Sequence, residues 1–261
     1  MVQSASDGIH LKSTQPASSS VFVASNSGAR AVIFDMDGVL VLTEQLKGRA
    51  HSAVTRELGS EVPASLYESL MGQSHESVQC AFMKAGHVTA DPACYTAKFR
   101  QIYDRMLKSE LQVAPGVLVL LGRLEKQGYL LGVVTSSSTS VAERVLADAG
   151  LLRFFSAVVT ADDVARPKPA PDCYKIVLEH LRVRPDNAVA FEDSEAGVNA
   201  AVAAGVRVVA VRHTMNSRHR FGLAEQTVNS LSDTQGVVAT LEGIFEAACP
   251  GPAYADDRAH H

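Results

Sequence analysis

Several things are missing from this 261-residue chain, and each absence removes a class of function. The four cysteines, Cys80, Cys94, Cys173 and Cys249, stand far apart and form no CxxC pair. That excludes a compact zinc site and a disulfide framework, and it reads as reduced thiols in a cytosol-like compartment. No apolar run is long enough to span a bilayer; the longest are strand-sized pieces such as LLGVV, so no membrane partner is expected. A basic excess is also lacking. With 24 Lys and Arg against 28 Asp and Glu, the net charge is -4, which argues against nucleic acid as the main partner.

The two ends differ from the middle. Residues 1–30 are rich in Ser and poor in acids, with one short apolar patch at Val21-Phe22-Val23-Ala24. They read as a disordered tail on a cytoplasmic protein; the alternative is an organellar transit peptide. The stretch 249–261 is expected to be loose.

What is present between them is a repeating pattern. Five short apolar runs read as strands: 31–35, 129–135, 156–159, 187–191 and 206–211. Helical periodicity lies between them in VAERVLADAG, PDCYKIVLEHL and EAGVNAAVAAG. Strand and helix in alternation predict an α/β fold, a doubly wound parallel sheet of Rossmann-like type with both faces covered. One interval breaks the rhythm. After the first strand come helix-like segments at 44–58, 64–71, 74–86 and 91–109, and a fifth at 115–127 leads into the second strand. The expected organisation is therefore a core of 31–43 and 111–248 with a small helical cap of 44–110 inserted after strand one. Hinges are placed near Leu42-Thr43 and Val113-Ala114-Pro115-Gly116.

In such sheets ligands bind outside the carboxyl ends of the strands, and polar residues gather there at four of the five. Strand one ends in Asp35-Met36-Asp37-Gly38, where positions i and i+2 bring two carboxylates over one spot. This suits a divalent cation, or a nucleophile paired with a proton-transfer group, although a solvated turn also uses Asp. Strand two ends in Thr135-Ser136-Ser137-Ser138, hydroxyls at a helix start that favour an anion or simply cap the helix. Lys168 sits among prolines in Arg166-Pro167-Lys168-Pro169-Ala170-Pro171, a rigid setting for an ammonium group. Strand four ends in Glu192-Asp193-Ser194. At an effective dielectric of about 20, like charges about 4 Å apart repel by roughly 4 kcal/mol. A phosphate approaching Asp35 therefore needs a cation, Lys168 and the donors of Thr135 and Ser136 beside it.

These motifs, DMDGVL, Thr135, RPKPAPD and FEDSEAGV in that order, resemble the haloacid dehalogenase-like hydrolases. The resemblance covers about 30–230 and is to the subgroup with a helical cap, which includes phosphoglycolate phosphatase-like enzymes, sugar-phosphate phosphatases and β-phosphoglucomutase. It implies a Mg²⁺-dependent phosphatase acting on a small phosphorylated metabolite through an aspartyl-phosphate, or alternatively a phosphomutase. Asp35 matches the nucleophile and Asp37 the general acid and base. Mg²⁺ is implied at the Asp35 carboxylate, the Asp37 main-chain carbonyl and Asp193, with Glu192 close by. Thr135 and Ser136 are implied to hold the phosphoryl oxygens, and Lys168 to offset charge.

The chain also departs from the subgroup. Leu42 replaces an Asp in DGVLxDTE, and Lys47 stands where the mutases have His. The mutases' cap Arg is missing from Gly72-Gln73-Ser74-His75-Glu76, and Ser138 occupies the place of a Lys. A mutase must grip a second phosphate, so these losses favour hydrolysis. Lys47, Arg49, His75 and Arg105 are the candidate cap contacts with substrate, and the loop Arg212–Arg220 is a candidate anion contact.

Overall fold

The computed structural model describes residues 28–247. The expectations for 1–27 and for 248–261 fall outside those residues.

Six parallel strands form one sheet: β1 (Ala31–Asp35), β2 (Leu130–Val134), β3 (Ala157–Val159), β4 (Ala188–Glu192), β5 (Arg207–Val211) and β6 (Gln226–Val228). Their order is β3-β2-β1-β4-β5-β6. From β1 the chain first builds outward on one side, then returns to build outward on the other. The reversal lies between β1 and β4, and there the strand ends splay into a crevice.

Parallel pairing demands long crossovers, and helices supply them. On one face lie α4 (Val117–Lys126), α5 (Thr139–Asp148) and α8 (Thr234–Ala247); on the other lie α6 (Asp172–Leu181) and α7 (Glu195–Ala203). The side-chain period of two decides which residue meets which layer. Val32 and Phe34 join the α4–α5–α8 layer, while Ala31 and Ile33 join the α6–α7 layer. Register carries this across the sheet: Phe34 pairs with Phe191, and their rings stack with centroids 5.1 Å apart. The strands read as unbroken apolar runs because both of their faces are buried.

Between β1 and α4 the chain forms α1 (Glu44–Glu57), a 3₁₀ turn at Ala64–Ser69, α2 (His75–Ala85) and α3 (Pro92–Glu110). Where a helix was expected over 64–71 there is a tight turn, Ala64–Ser69; it is short, follows Pro63 and buries only Tyr67. The helical insertion has its own packed interior, in which His51 lies among Phe82, Tyr95 and Phe99. The two crossings into and out of the insertion are paired. Leu42 N–H donates to Gln112 O and Ala114 N–H to Leu40 O, each at 2.9 Å. Among the described residues no helix is long and apolar enough to cross a membrane.

The sixth strand has no counterpart among the five read from the sequence. Gln226-Thr227-Val228 is a three-residue edge strand whose side chains are mostly exposed, so it lacks the apolar run that marks a buried strand.

Candidate active site

The crevice at the β1–β4 reversal collects charged groups that burial would otherwise exclude. Asp35 is the last residue of β1, and its Oδ1 accepts from Lys168 Nζ at 2.5 Å. The same ammonium donates to Glu192 Oε1 at 2.6 Å. Lys168 arrives from the loop before α6, where its peptide bond to Pro169 is cis. Asp35, Glu192 and Asp193 each offer a carboxylate oxygen within 4.8 Å of the others, and all three are buried.

Three buried acids face essentially one ammonium, and the electrostatics show the imbalance. Burial pushes the Asp35 carboxyl well above the usual carboxylate range, and Glu192, Asp193 and Asp37 add to it against the pull of Lys168. Asp193 is also pushed well up, by burial first and then by Glu44 and Glu192. Burial opposes the charge on Lys168, yet Asp35 and Glu192 hold its proton far more tightly than usual. A cluster of hard oxygen donors short of positive charge fits a small divalent cation. Glu192 is the most committed of the three acids. Its Oε1 accepts from Tyr174 OH at 2.8 Å as well as from Lys168, and its Oε2 accepts from Ser194 Oγ at 3.3 Å.

Glycine makes room for these acids at two positions. A Cβ at Gly197, in the first turn of α7, would meet the Glu192 carboxyl atoms at 2.0–2.1 Å. At Gly38, where φ is +81°, a Cβ would meet Asp193 Oδ2 at 1.9 Å. The Gly of DMDG is thus required by both its left-handed backbone and its neighbour.

Asp37 belongs to a different set of contacts. Its Oδ1 accepts from Thr43 Oγ1 at 2.5 Å and lies 3.1 Å from Lys47 Nζ; its Oδ2 accepts from Ser137 Oγ at 3.0 Å and Thr135 Oγ1 at 3.3 Å. Burial would raise its proton affinity, but the Lys47 charge and the hydrogen bonds from Thr43, Lys47 and Ser137 outweigh burial and leave it lower than usual. The two aspartates therefore sit in opposite electrostatic settings two residues apart. Their side chains have separate partners, so Asp37's carboxylate is outside the acid cluster.

The structure sorts the candidates unevenly. Asp35, Asp37, Thr135, Lys168, Glu192 and Asp193 converge, and Lys47 reaches them from the first turn of α1. Ser136 is exposed, and it is Ser137 that turns inward to Asp37. Arg105 is exposed on α3 beside Arg56 and Glu57, in a shallow depression on the insertion that none of the acids lines. Tyr103, two residues earlier on α3, is buried near Asp37 and Lys47, whereas Arg105 lies on the opposite, exposed face of the helix, which keeps it from the crevice. Arg49 is likewise committed elsewhere, to Glu110 at 2.6 Å. His75 packs into the insertion's aromatic cluster, 4.8 Å from Phe99, with its Nε2 buried and without a partner among the described residues.

Other contributors carried weak signals in the sequence. Tyr174 gave none, since an apolar helix face accounts for it. Glu44 is buried, bonds Lys47 at 2.8 Å through Oε1, and leaves Oε2 without a hydrogen-bond partner among the described residues. His213 Nε2 lies 2.8 Å from Asp193 Oδ2, inside the loop flagged as Arg212–Arg220.

The chain is also similar to known proteins. Residues 32–211 match the family model described as haloacid dehalogenase-like hydrolase. The chain is 33% identical over 187 residues to a phosphorylated carbohydrates phosphatase of Thermotoga maritima, covering 71% of this chain and 87% of that one. It is 32% identical over 181 residues to the fructose-1-phosphate phosphatase YqaB of Escherichia coli, covering 69% and 95%. Among solved structures it resembles CbbY of Rhodobacter sphaeroides in complex with phosphate, with a TM-score of 0.69, 26% identity, and 78% and 96% of the two chains covered.

Proposed function

The chain belongs to the haloacid dehalogenase-like hydrolase family, and on that premise we propose that it is a Mg²⁺-dependent phosphatase of a small phosphorylated carbohydrate. The observation that carries the reading is the Asp35 carboxylate held 2.5 Å from Lys168 at the sheet's reversal point, within reach of Asp193.

In this reading Asp35 attacks phosphorus. A bond forms between its oxygen and phosphorus while the ester P–O bond breaks, and Asp37 gives a proton to the departing oxygen. Water then attacks the aspartyl-phosphate, and Asp37 takes the proton back. Held ionised by Thr43, Lys47 and Ser137, Asp37 is suited to the second half; a bound phosphate dianion raises its proton affinity for the first. Thr135 and Ser137 stand beside Asp37 with hydroxyls for the phosphoryl oxygens, in place of the expected Thr135 and Ser136. Asp35 and Asp193 would hold the cation, with the Asp37 main-chain carbonyl as a further ligand and Glu192 close by. The cation, when bound, would supply positive charge against the negative charge on the phosphoryl group.

Residues 44–110 act as a cap that closes over the site. Lys47 on α1 bonds Asp37, Arg144 on α5 bonds Asp104 on α3 at 2.6 Å, and a Cβ at Gly72 would lie 3.2 Å from Ser194. So close a cover favours a small substrate and excludes bulk water. The Glu44 Oε2, without a partner among the described residues, suits a sugar hydroxyl, in keeping with the carbohydrate phosphates named for the two relatives.

The test is phosphate release across sugar phosphates and short phospho-acids, with Mg²⁺ and with chelator. Cation-dependent release from sugar phosphates is the expected result. Conversion of a hexose 1-phosphate to its isomer without release would assign a phosphomutase instead.

A further inference from the structure

After β5 the chain turns back over the acid cluster through a short 3₁₀ turn, Thr214–Asn216. Asn216 is fully buried and spends its whole side chain on fixing that turn. Its Nδ2 donates to Asp193 O at 2.9 Å and to Val211 O at 2.8 Å, and its Oδ1 accepts from His213 N–H at 2.9 Å. The loop is thereby stapled to the main chain of Asp193. Buried amides that meet this many partners tolerate little displacement.

His213 stands on that staple with Nε2 2.8 Å from Asp193 Oδ2. As a cation ligand the Asp193 carboxylate is ionised and only accepts, so in that state Nε2 carries the hydrogen and donates it. A Cβ at position 38 would lie 1.9 Å from Asp193 Oδ2 and 3.1 Å from His213 Nε2, so both groups fill the space that Gly38 leaves. Other cations of the site are committed elsewhere: Lys168 to Asp35 and Glu192, Lys47 to Asp37 and Glu44. Among the described residues His213 supplies the one side-chain donor that fixes how the Asp193 carboxylate is turned.

We propose that His213, held by Asn216, is a positioning residue that sets the rotation of the Asp193 carboxylate and thereby the affinity of the acid cluster for its divalent cation. The inference rests on the reading of Asp35 and Asp193 as cation ligands. A ligating carboxylate that is free to swing must be ordered when the ion binds, and that ordering weakens binding. Donors behind metal ligands typically account for about 10- to 100-fold in affinity.

The test is calorimetric titration of the full chain with Mn²⁺, without substrate. The variants are His213→Phe, which keeps a ring and removes the donor, His213→Ala, which removes both, and His213→Gln, which restores an N–H donor. Thermal melting without metal identifies which variants fold, and either Phe or Ala suffices. The expected result is a Kd raised about 10- to 100-fold in the donor-less variant, with most of the loss recovered in His213→Gln. An unchanged Kd in a folded donor-less variant overturns the proposal. So does equal weakening in the Gln variant, which would mark the ring as a loop support. Wild-type protein that binds no Mn²⁺ at all would overturn the cation reading itself, a different failure from either of these.

Discussion

Lys168 Nζ lies 2.5 Å from Asp35 Oδ1, and the lysine side chain is only 6% exposed. This pair joins the end of β1 to the loop before α6, and Glu192 shares the ammonium at 2.6 Å. Removing the lysine strands two buried carboxylates, which costs far more than the pair contributes net. Lys168→Met is expected to lose about 3–5 kcal/mol of stability in denaturant unfolding and at least about 100-fold in kcat. Added Mg²⁺ restores part of the stability. A variant with wild-type turnover would remove Lys168 from the site.

Gly197→Ala tests the packing around Glu192 without replacing a charged residue. The new methyl would lie about 2 Å from the carboxyl atoms, so either α7 or Glu192 must move. Overpacking of this kind costs about 1–3 kcal/mol or more. Urea unfolding should show that loss together with a fall in kcat, because displacing Glu192 disturbs Lys168. An unchanged midpoint would show that Glu192 can rotate away freely.

His51 supplies a pH dependence that belongs to the cap and not to the acid cluster. Burial, with the charges of His75 and Lys47, pushes its pKa down to about 3 from the usual 6.5. The unfolded chain therefore binds a proton that the folded chain refuses. Stability from neutral His51 is complete above about pH 6.5 and falls by up to about 1.4 kcal/mol per unit as pH drops toward 3. His75, lowered mainly by its own burial, acts in the same direction. Melting temperatures measured from pH 7.5 to 4.5 should fall less steeply in His51→Phe than in wild type. Parallel curves would contradict the assignment.

The sheet was legible in the sequence because a parallel sheet buries both faces, and five strands appear as bare apolar runs. β6 escaped because an exposed edge strand can be as polar as Gln226-Thr227. Asp35, Asp37 and Asp193 at strand ends and Lys168 among its prolines each had an ordinary turn or cap reading; the four motifs in order made them legible together. Contacts made at long range left no local trace. Tyr174 looks like any helix-face aromatic, and Ser137 could not be told from Ser136 without the turn that points one inward and the other to solvent. Arg105 shows the converse, since a basic residue on a cap helix carries no mark of which face turns to the crevice.

The central claim is that Asp35 takes the phosphoryl group in a cation-dependent step and that Asp37 is needed to pass it to water. Incubating Asp37→Asn with acetyl phosphate, whose leaving group departs without a proton, and Mg²⁺, followed by peptide mass analysis, tests this most directly. The account predicts one added phosphoryl group on the peptide at Asp35, absent when chelator replaces Mg²⁺ and absent in the Asp35→Asn, Asp37→Asn double variant. A phosphoryl group carried by any other residue, or steady phosphate release from Asp35→Asn, would contradict it.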